Sequence, residues 1–141
     1  MDAVLAASRA LVAVSARSIA TVDRVTLPQY RMLVVLEHAP SNLTHLASAL
    51  DVAPSTAMRM IDRLTAAGLV ERSVRPENRR ETHLALTPAG RKVVRVVTAR
   101  RRLDIQAVVR HIPAGRRGAV ARAMAEFSDA ADQVWPAQVA H

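Results

Sequence analysis

No cysteine occurs in the 141 residues of this chain, which excludes disulfides, thiol redox sensing and cysteine catalysis. Aromatic residues are almost absent. Tyr30, Phe127 and Trp135 are the only three, so the core must be built from Ala, Val, Leu and Met. The four glycines, Gly68, Gly90, Gly115 and Gly118, are too scattered to form a phosphate-cradling loop. His38, His45, His83, His111 and His141 lack a zinc-ligand spacing, so no metal and no cofactor is assigned. No nucleophile–base pair or carboxylate constellation stands out, and the chain does not read as an enzyme. Long apolar runs are missing too. The segment from Ala3 to Ala20 is interrupted by Arg9 and Arg17, and Asp2 stands where a signal peptide would carry positive charge. It is too polar to cross a bilayer and reads as an amphipathic helix with Leu5, Leu11, Val12 and Ile19 near one side. A soluble, cytoplasmic protein with no membrane partner is expected.

What is present is arginine, which supplies 19 of the 20 basic residues against 12 acidic ones, for a formal charge of +8. The excess is uneven. Residues 1–40 carry 4 basic and 3 acidic groups, residues 41–90 carry 6 and 5, and residues 91–141 carry 10 and 4. The central segment is nearly neutral, so any anion recognition there depends on where its arginines sit. Arg91, Lys92 and Arg95 are placed to add salt-dependent attraction to phosphates. Arg116 and Arg117 belong to the same basic C-terminal third.

The stretch from Leu43 to Gly90 carries the most information. Thr44 is the expected N-cap of a helix through Leu46, Ala47 and Leu50, which Asp51 and Val52 end. Pro54 then falls at the first position of a second helix, where its fixed φ and missing N–H cost nothing. Ala57, Met60, Ile61 and Leu64 make one buried stripe on that helix, and Gly68 supplies the left-handed residue that ends it. Its other face carries Ser55, Thr56, Met58, Arg59, Asp62 and Arg63. Two short helices joined by a tight turn form a helix-turn-helix, whose second helix enters a major groove. Ser55 and Thr56 suit a phosphate at the helix start, and Arg59 and Arg63 suit guanine edges or phosphates. Met58 fits either a thymine methyl or a neighbouring helix, and Arg59, Asp62 and Arg63 would also serve as an ordinary solvated face.

A hairpin follows. Leu69 and Val70 begin a strand running to Val74, and Thr82, Leu84 and Leu86 alternate with His83 and Ala85 on the returning strand. Between them the turn Arg75 to Arg80 holds three arginines, Arg75, Arg79 and Arg80, with Pro76 and Asn78. Such a tip suits the negative potential of a narrow minor groove. Thr87 and Pro88 read as the N-cap and first residue of a long helix to about His111. A helix from Thr26, with Gln29 completing a capping box, precedes the pair and points Tyr30, Leu33 and Leu36 inward. The last helix shows a clear period in Val120, Ala123, Met124, Phe127, Ala131 and Val134.

On the segments LTHLASAL, STAMRMIDRLTAAGLVER and NRRETHLALTPAG, the chain resembles the MarR family of winged helix-turn-helix transcription regulators. The resemblance implies a mainly α fold with a small β hairpin wing. It implies a single domain over residues 1–141, with a DNA-binding lobe over 27–90 and dimerisation helices over 1–22 and 88–141. It places Ser55, Thr56, Met58, Arg59 and Arg63 toward DNA and Arg80 in the minor groove; Thr44, Arg75, Asn78 and Arg79 complete the expected DNA-binding set. Asn78 departs from the family's usual wing aspartate: it can still accept backbone N–H bonds and shape the turn, but a charged pair with Arg80 would have to come from Glu77. The absent cysteines exclude the thiol-based peroxide sensing used by some members.

The resemblance further implies a homodimer on double-stranded DNA with a near-palindromic operator, a repressor's mode of action, and a small anionic or aromatic effector. Its cleft would be walled by Tyr30, Met32, His38, Arg100, Arg101 and Arg102, although charge runs such as the three arginines are usually solvated. The competing reading is a winged-helix protein-interaction or scaffold module that does not read DNA sequence.

Overall fold

The structure is a computed structural model describing residues 1–23, 25–75 and 78–135, and for residues 75 and 78–81 the backbone alone. Its elements, in chain order, are α1 (Asp2–Ile19), α2 (Leu27–His38), α3 (Leu43–Leu50), α4 (Pro54–Ala66), β1 (Val70–Arg75), β2 (Asn78–Leu86), α5 (Pro88–Arg110) and α6 (Ala114–Val134). Helices α2, α3 and α4, the inner face of the β1–β2 hairpin and the first turns of α5 surround one core. Met32, Leu33, Leu46, Ile61, Leu64, Leu86 and Val97 lie at its centre. Aliphatic side chains fill it, with Tyr30 as its aromatic member.

Local chemistry explains most boundaries. The Thr26 hydroxyl accepts from the Gln29 N–H at 3.4 Å, and the Gln29 side chain accepts from the Thr26 N–H at 2.9 Å, closing the expected capping box. Helix α4 starts at Pro54 and buries Ala57, Met60, Ile61 and Leu64, as the periodicity predicts. Its end is a Schellman turn: Gly68 has φ +72°, its N–H donates to Thr65 O, and the Leu69 N–H donates to Leu64 O, both at 2.9 Å. Asp51 ends α3 in the same left-handed region, at φ +53°. Among non-glycine residues, Asp and Asn reach this region with least penalty.

Three expectations change. Thr44 is not the cap of α3, because the helix begins at Leu43 and the Asn42 side chain accepts from the His45 N–H at 2.8 Å. The cause lies one residue earlier. Ser41 pairs with Leu84 of β2 through backbone hydrogen bonds of 2.9 and 2.7 Å, which leaves Asn42 extended just before the helix. The hairpin turn is also shorter than expected. Arg75 pairs with Asn78, so residues 78–80 belong to β2 and the register shifts between Val74 and Arg75. In α1, Ser18 and Ile19 are buried while Leu5, Leu11 and Val12 are exposed, so its apolar residues serve two different surfaces.

One close approach locks hairpin to helix. A Cβ built on Gly90 would lie 2.1 Å from the Leu69 carbonyl oxygen. That oxygen also accepts from the Thr87 N–H at 3.1 Å, so it cannot retreat cheaply. Gly90→Ala should therefore destabilise the protein by about 1–3 kcal/mol, seen as a lower midpoint in urea. Gly115→Ala, with open space around the added methyl, should leave that midpoint unchanged or slightly higher.

Candidate nucleic-acid interface

Helix α4 presents its polar face because its other face is committed to the core. Arg59, Asp62, Arg63 and Ser55 are exposed, Thr56 is half-buried, and Met58 is 39% exposed. Helical spacing places Ser55 and Arg59 opposite the buried stripe, with Met58 on one flank and Thr56 and Arg63 on the other. An Arg59 guanidinium nitrogen donates to the Thr56 hydroxyl at 3.4 Å, drawing the cation toward the helix start. Ala53, the residue before the helix, offers no side-chain acceptor to the N-terminal amides. The positive end of α4 therefore faces outward without a cap, beside the Ser55 hydroxyl and the Arg59 cation. That combination of charge and free N–H suits a phosphate.

Arg63 lies farther round. With Thr26, Gln29 and Ala67 it lines an open cleft between α4 and the start of α2, so the two arginines lie on different parts of the surface. Asp62 is tied to Arg72 of β1 in an ion pair that joins the helix to the hairpin. Thr44 is exposed on α3. The side chains of Arg75, Asn78, Arg79 and Arg80 lie outside the described residues; their backbone places them at the paired tip of the hairpin. The sequence reading overlooked His45, whose Nδ1 shares a 2.6 Å hydrogen bond with the buried Ser41 hydroxyl. The pairing of Ser41 with Leu84, which creates that contact, leaves no local sequence signal.

Several arginines of the basic third have structural duties. An Arg91 guanidinium nitrogen donates to Leu86 O at 3.0 Å, and Arg117 donates to Ile112 O and Arg110 O at 3.0 Å each, closing the end of α5. Arg100 pairs with Asp104 at 3.3 Å.

The expected effector residues do not come together. Tyr30 and Arg101 do: the guanidinium lies 5.3 Å from the ring centroid, and the pair lines a cleft of about 240 Å³ with Ser15, Leu27, Val34 and Leu50. The Tyr30 hydroxyl and the Thr98 hydroxyl are 3.1 Å apart. Met32 is fully buried in the core and does not line this cleft, because its position in α2 turns toward the centre of the lobe. His38 is exposed and does not line this cleft. Arg102 lines a separate hollow with Glu37 and Arg95. Among the described residues no group of His, Asp and Glu is arranged to hold a metal ion, and no helix is long and apolar enough to cross a membrane.

Comparison with known proteins agrees with this geometry. The model of the MarR family matches residues 25–82, from the start of the lobe into β2. The crystal structure of RV1404 from Mycobacterium tuberculosis is similar at 48% identity and a TM-score of 0.86, covering 92% of this chain and 90% of that one. A MepR mutant of S. aureus, solved bound to an oligodeoxyribonucleotide, shares the fold at 18% identity, with a TM-score of 0.72 over 92% of this chain and 97% of that one. The proposed transcriptional regulatory protein for the hcr operon of Thauera aromatica is 37% identical over 76 residues, which are 53% of this chain and 46% of that protein. The chain thus spans less than half the length of the curated relatives it matches. With a family model on its helix-turn-helix and a near full-length structural relative at 48% identity, this chain belongs to the MarR family of winged-helix regulators.

Proposed function

We propose that this chain is a sequence-specific DNA-binding transcription regulator, acting as a homodimeric repressor in the cytoplasm. The observation that carries the reading is the uncapped, outward-facing start of α4, with Ser55, Thr56 and Arg59, held beside a hairpin whose tip bears Arg75, Arg79 and Arg80. Helix and hairpin together match a major groove and its neighbouring minor groove. Arg59, central on the face, reads base edges. Arg63, on the flank toward α2, holds a phosphate. Family membership and the oligodeoxyribonucleotide bound by the MepR mutant support the same reading.

Surface chemistry supports dimerisation. Leu11, Val12, Met124 and Phe127 are exposed along a groove of about 470 Å³ between α1 and α6. An apolar surface of this kind is stable in water once another helix covers it, and a second copy covers both faces by symmetry. Two-fold pairing sets the two α4 helices on successive major grooves, so the operator is a near-palindrome with half-sites ~34–36 Å apart. Repression is occupancy, since a bound dimer obstructs polymerase. The Tyr30–Arg101 cleft takes a small anionic or aromatic effector, which acts by binding the DNA-competent and incompetent lobe spacings unequally.

Binding to a duplex from the chain's own upstream region, against a scrambled duplex across a salt series, tests the proposal. Tight, selective binding that weakens with salt is expected; equal binding to both at every salt concentration would sink it. Arg59→Ala should cost about 1–3 kcal/mol and relax selectivity, whereas Arg63→Ala should weaken all duplexes alike and reduce the salt slope by about 1. Arg80→Ala should weaken binding with thermal stability nearly unchanged. Phe127→Glu should convert the dimer into single chains of 15.3 kDa, measured by light scattering, with selective binding lost.

A further inference from the structure

Two residues stand where their chemistry is out of place. Asp62 puts a carboxylate on the exposed side of α4, one turn from Arg59, on the surface that would meet a polyanion. Arg72 occupies an inward strand position. It pairs across the ladder with buried Leu84, on the same face as Val70 and Leu86, which are buried against the core. Neither choice serves its own element. A carboxylate there repels phosphate, and a guanidinium there displaces an apolar side chain. Both make sense as one ion pair between Arg72 and Asp62.

Stability is a poor explanation for the pair. Its side chains are 39% and 57% exposed, and pairs this wet contribute little to folding. What the pair does is geometric. It is a charged tie from the middle of α4 to the hairpin, several residues away from the Gly68 turn that already joins them in sequence. Gly68 joins the two elements in sequence, and the Ser41–Leu84 pairing docks β2 on the start of α3; the Asp62–Arg72 pair adds a direct side-chain tie between β1 and the middle of α4.

We infer that Asp62 and Arg72 are positioning residues that set the angle between α4 and the hairpin, so that helix and tip engage adjacent grooves in one register. This rests on the DNA-binding reading above. A correct operator satisfies both contacts at the fixed angle, whereas a free hairpin would find phosphates on any duplex. The pair therefore governs discrimination between sequences more than affinity for DNA.

The test compares Asp62→Asn, Arg72→Gln and the double variant with the unsubstituted protein. Two duplexes are used: one enriched from a randomised library by the unsubstituted protein, and its scrambled counterpart. Each single variant should lower the ratio of the two affinities about tenfold, or ~1.4 kcal/mol. The double variant should lose no more than either single one, since both break the same tie. Asp62→Asn should bind the scrambled duplex at least as tightly as the unsubstituted protein, because a repelling charge is gone. Thermal midpoints should stay close to that of the unsubstituted protein. An unchanged ratio in the single variants overturns the inference, as do additive losses. It also fails if Arg72→Gln weakens both duplexes equally with a shallower salt slope, which would make Arg72 a phosphate contact. Failure of the unsubstituted protein to enrich any duplex is a separate result, and it removes the DNA-binding reading itself.

Discussion

The Leu69 carbonyl is the point on which the lobe is assembled. Gly68, in the left-handed region, ends α4 and turns the chain so that this carbonyl faces the start of α5. There it accepts from the Thr87 N–H, while the Thr87 hydroxyl donates to Gly68 O at 2.6 Å and accepts from the Gly90 N–H at 3.0 Å. The close approach of Gly90 to the same carbonyl lets α5 press against the hairpin's base. The end of α4, the beginning of β1, the end of β2 and the first turn of α5 thus meet within a few residues. The Gly68 and Leu69 carbonyls and the Thr87 and Gly90 N–H groups all find partners at this crossing, which lets four chain segments converge there.

From this junction the exposed face of α4 and the hairpin project. Ser41 adds a one-residue strand to β2 and so docks the start of α3 against the hairpin. The α3–α4 pair is thereby held at its beginning by the sheet and at its end by Gly68. Arg91, donating to Leu86 O, strengthens the hairpin's base from the α5 side. A cation that net charge alone would assign to DNA thus supports the scaffold. The same holds for Arg117 at the end of α5 and Arg100 with Asp104. The formal charge of +8 therefore does not tell which arginines are placed to meet a polyanion.

Helices α1 and α6 obey a different logic. Their small and apolar residues leave an open groove, whereas the lobe packs Met32, Leu33 and Leu46 completely. The chain thus contains one finished core and one unfinished one. Between them the Tyr30–Arg101 contact joins α2 of the lobe to α5, the helix shared by both regions.

Local chemistry made much of this legible in advance. The Thr26–Gln29 capping box, Pro54 at the head of α4, Gly68 at its end, the stripe Ala57–Met60–Ile61–Leu64 and the Thr87 cap depend on residues within a turn or two of one another, and each formed as its spacing predicts. Features that need distant segments were not legible. The true cap of α3 moved from Thr44 to Asn42 because Ser41 pairs with Leu84. Met32, an apparent cleft residue, went to the core, and two of the six expected effector residues share a cleft. The Asp62–Arg72 tie was not legible either, since its partners lie on different elements and neither pattern names the other residue. By itself the sequence determined which segments become helices and strands, because capping, turn chemistry and hydrophobic period act between near neighbours. Only the tertiary structure decided which arginines are structural and which face outward. A guanidinium takes its role from the carbonyl, carboxylate or ring that folding brings to it, and those partners are distant in sequence.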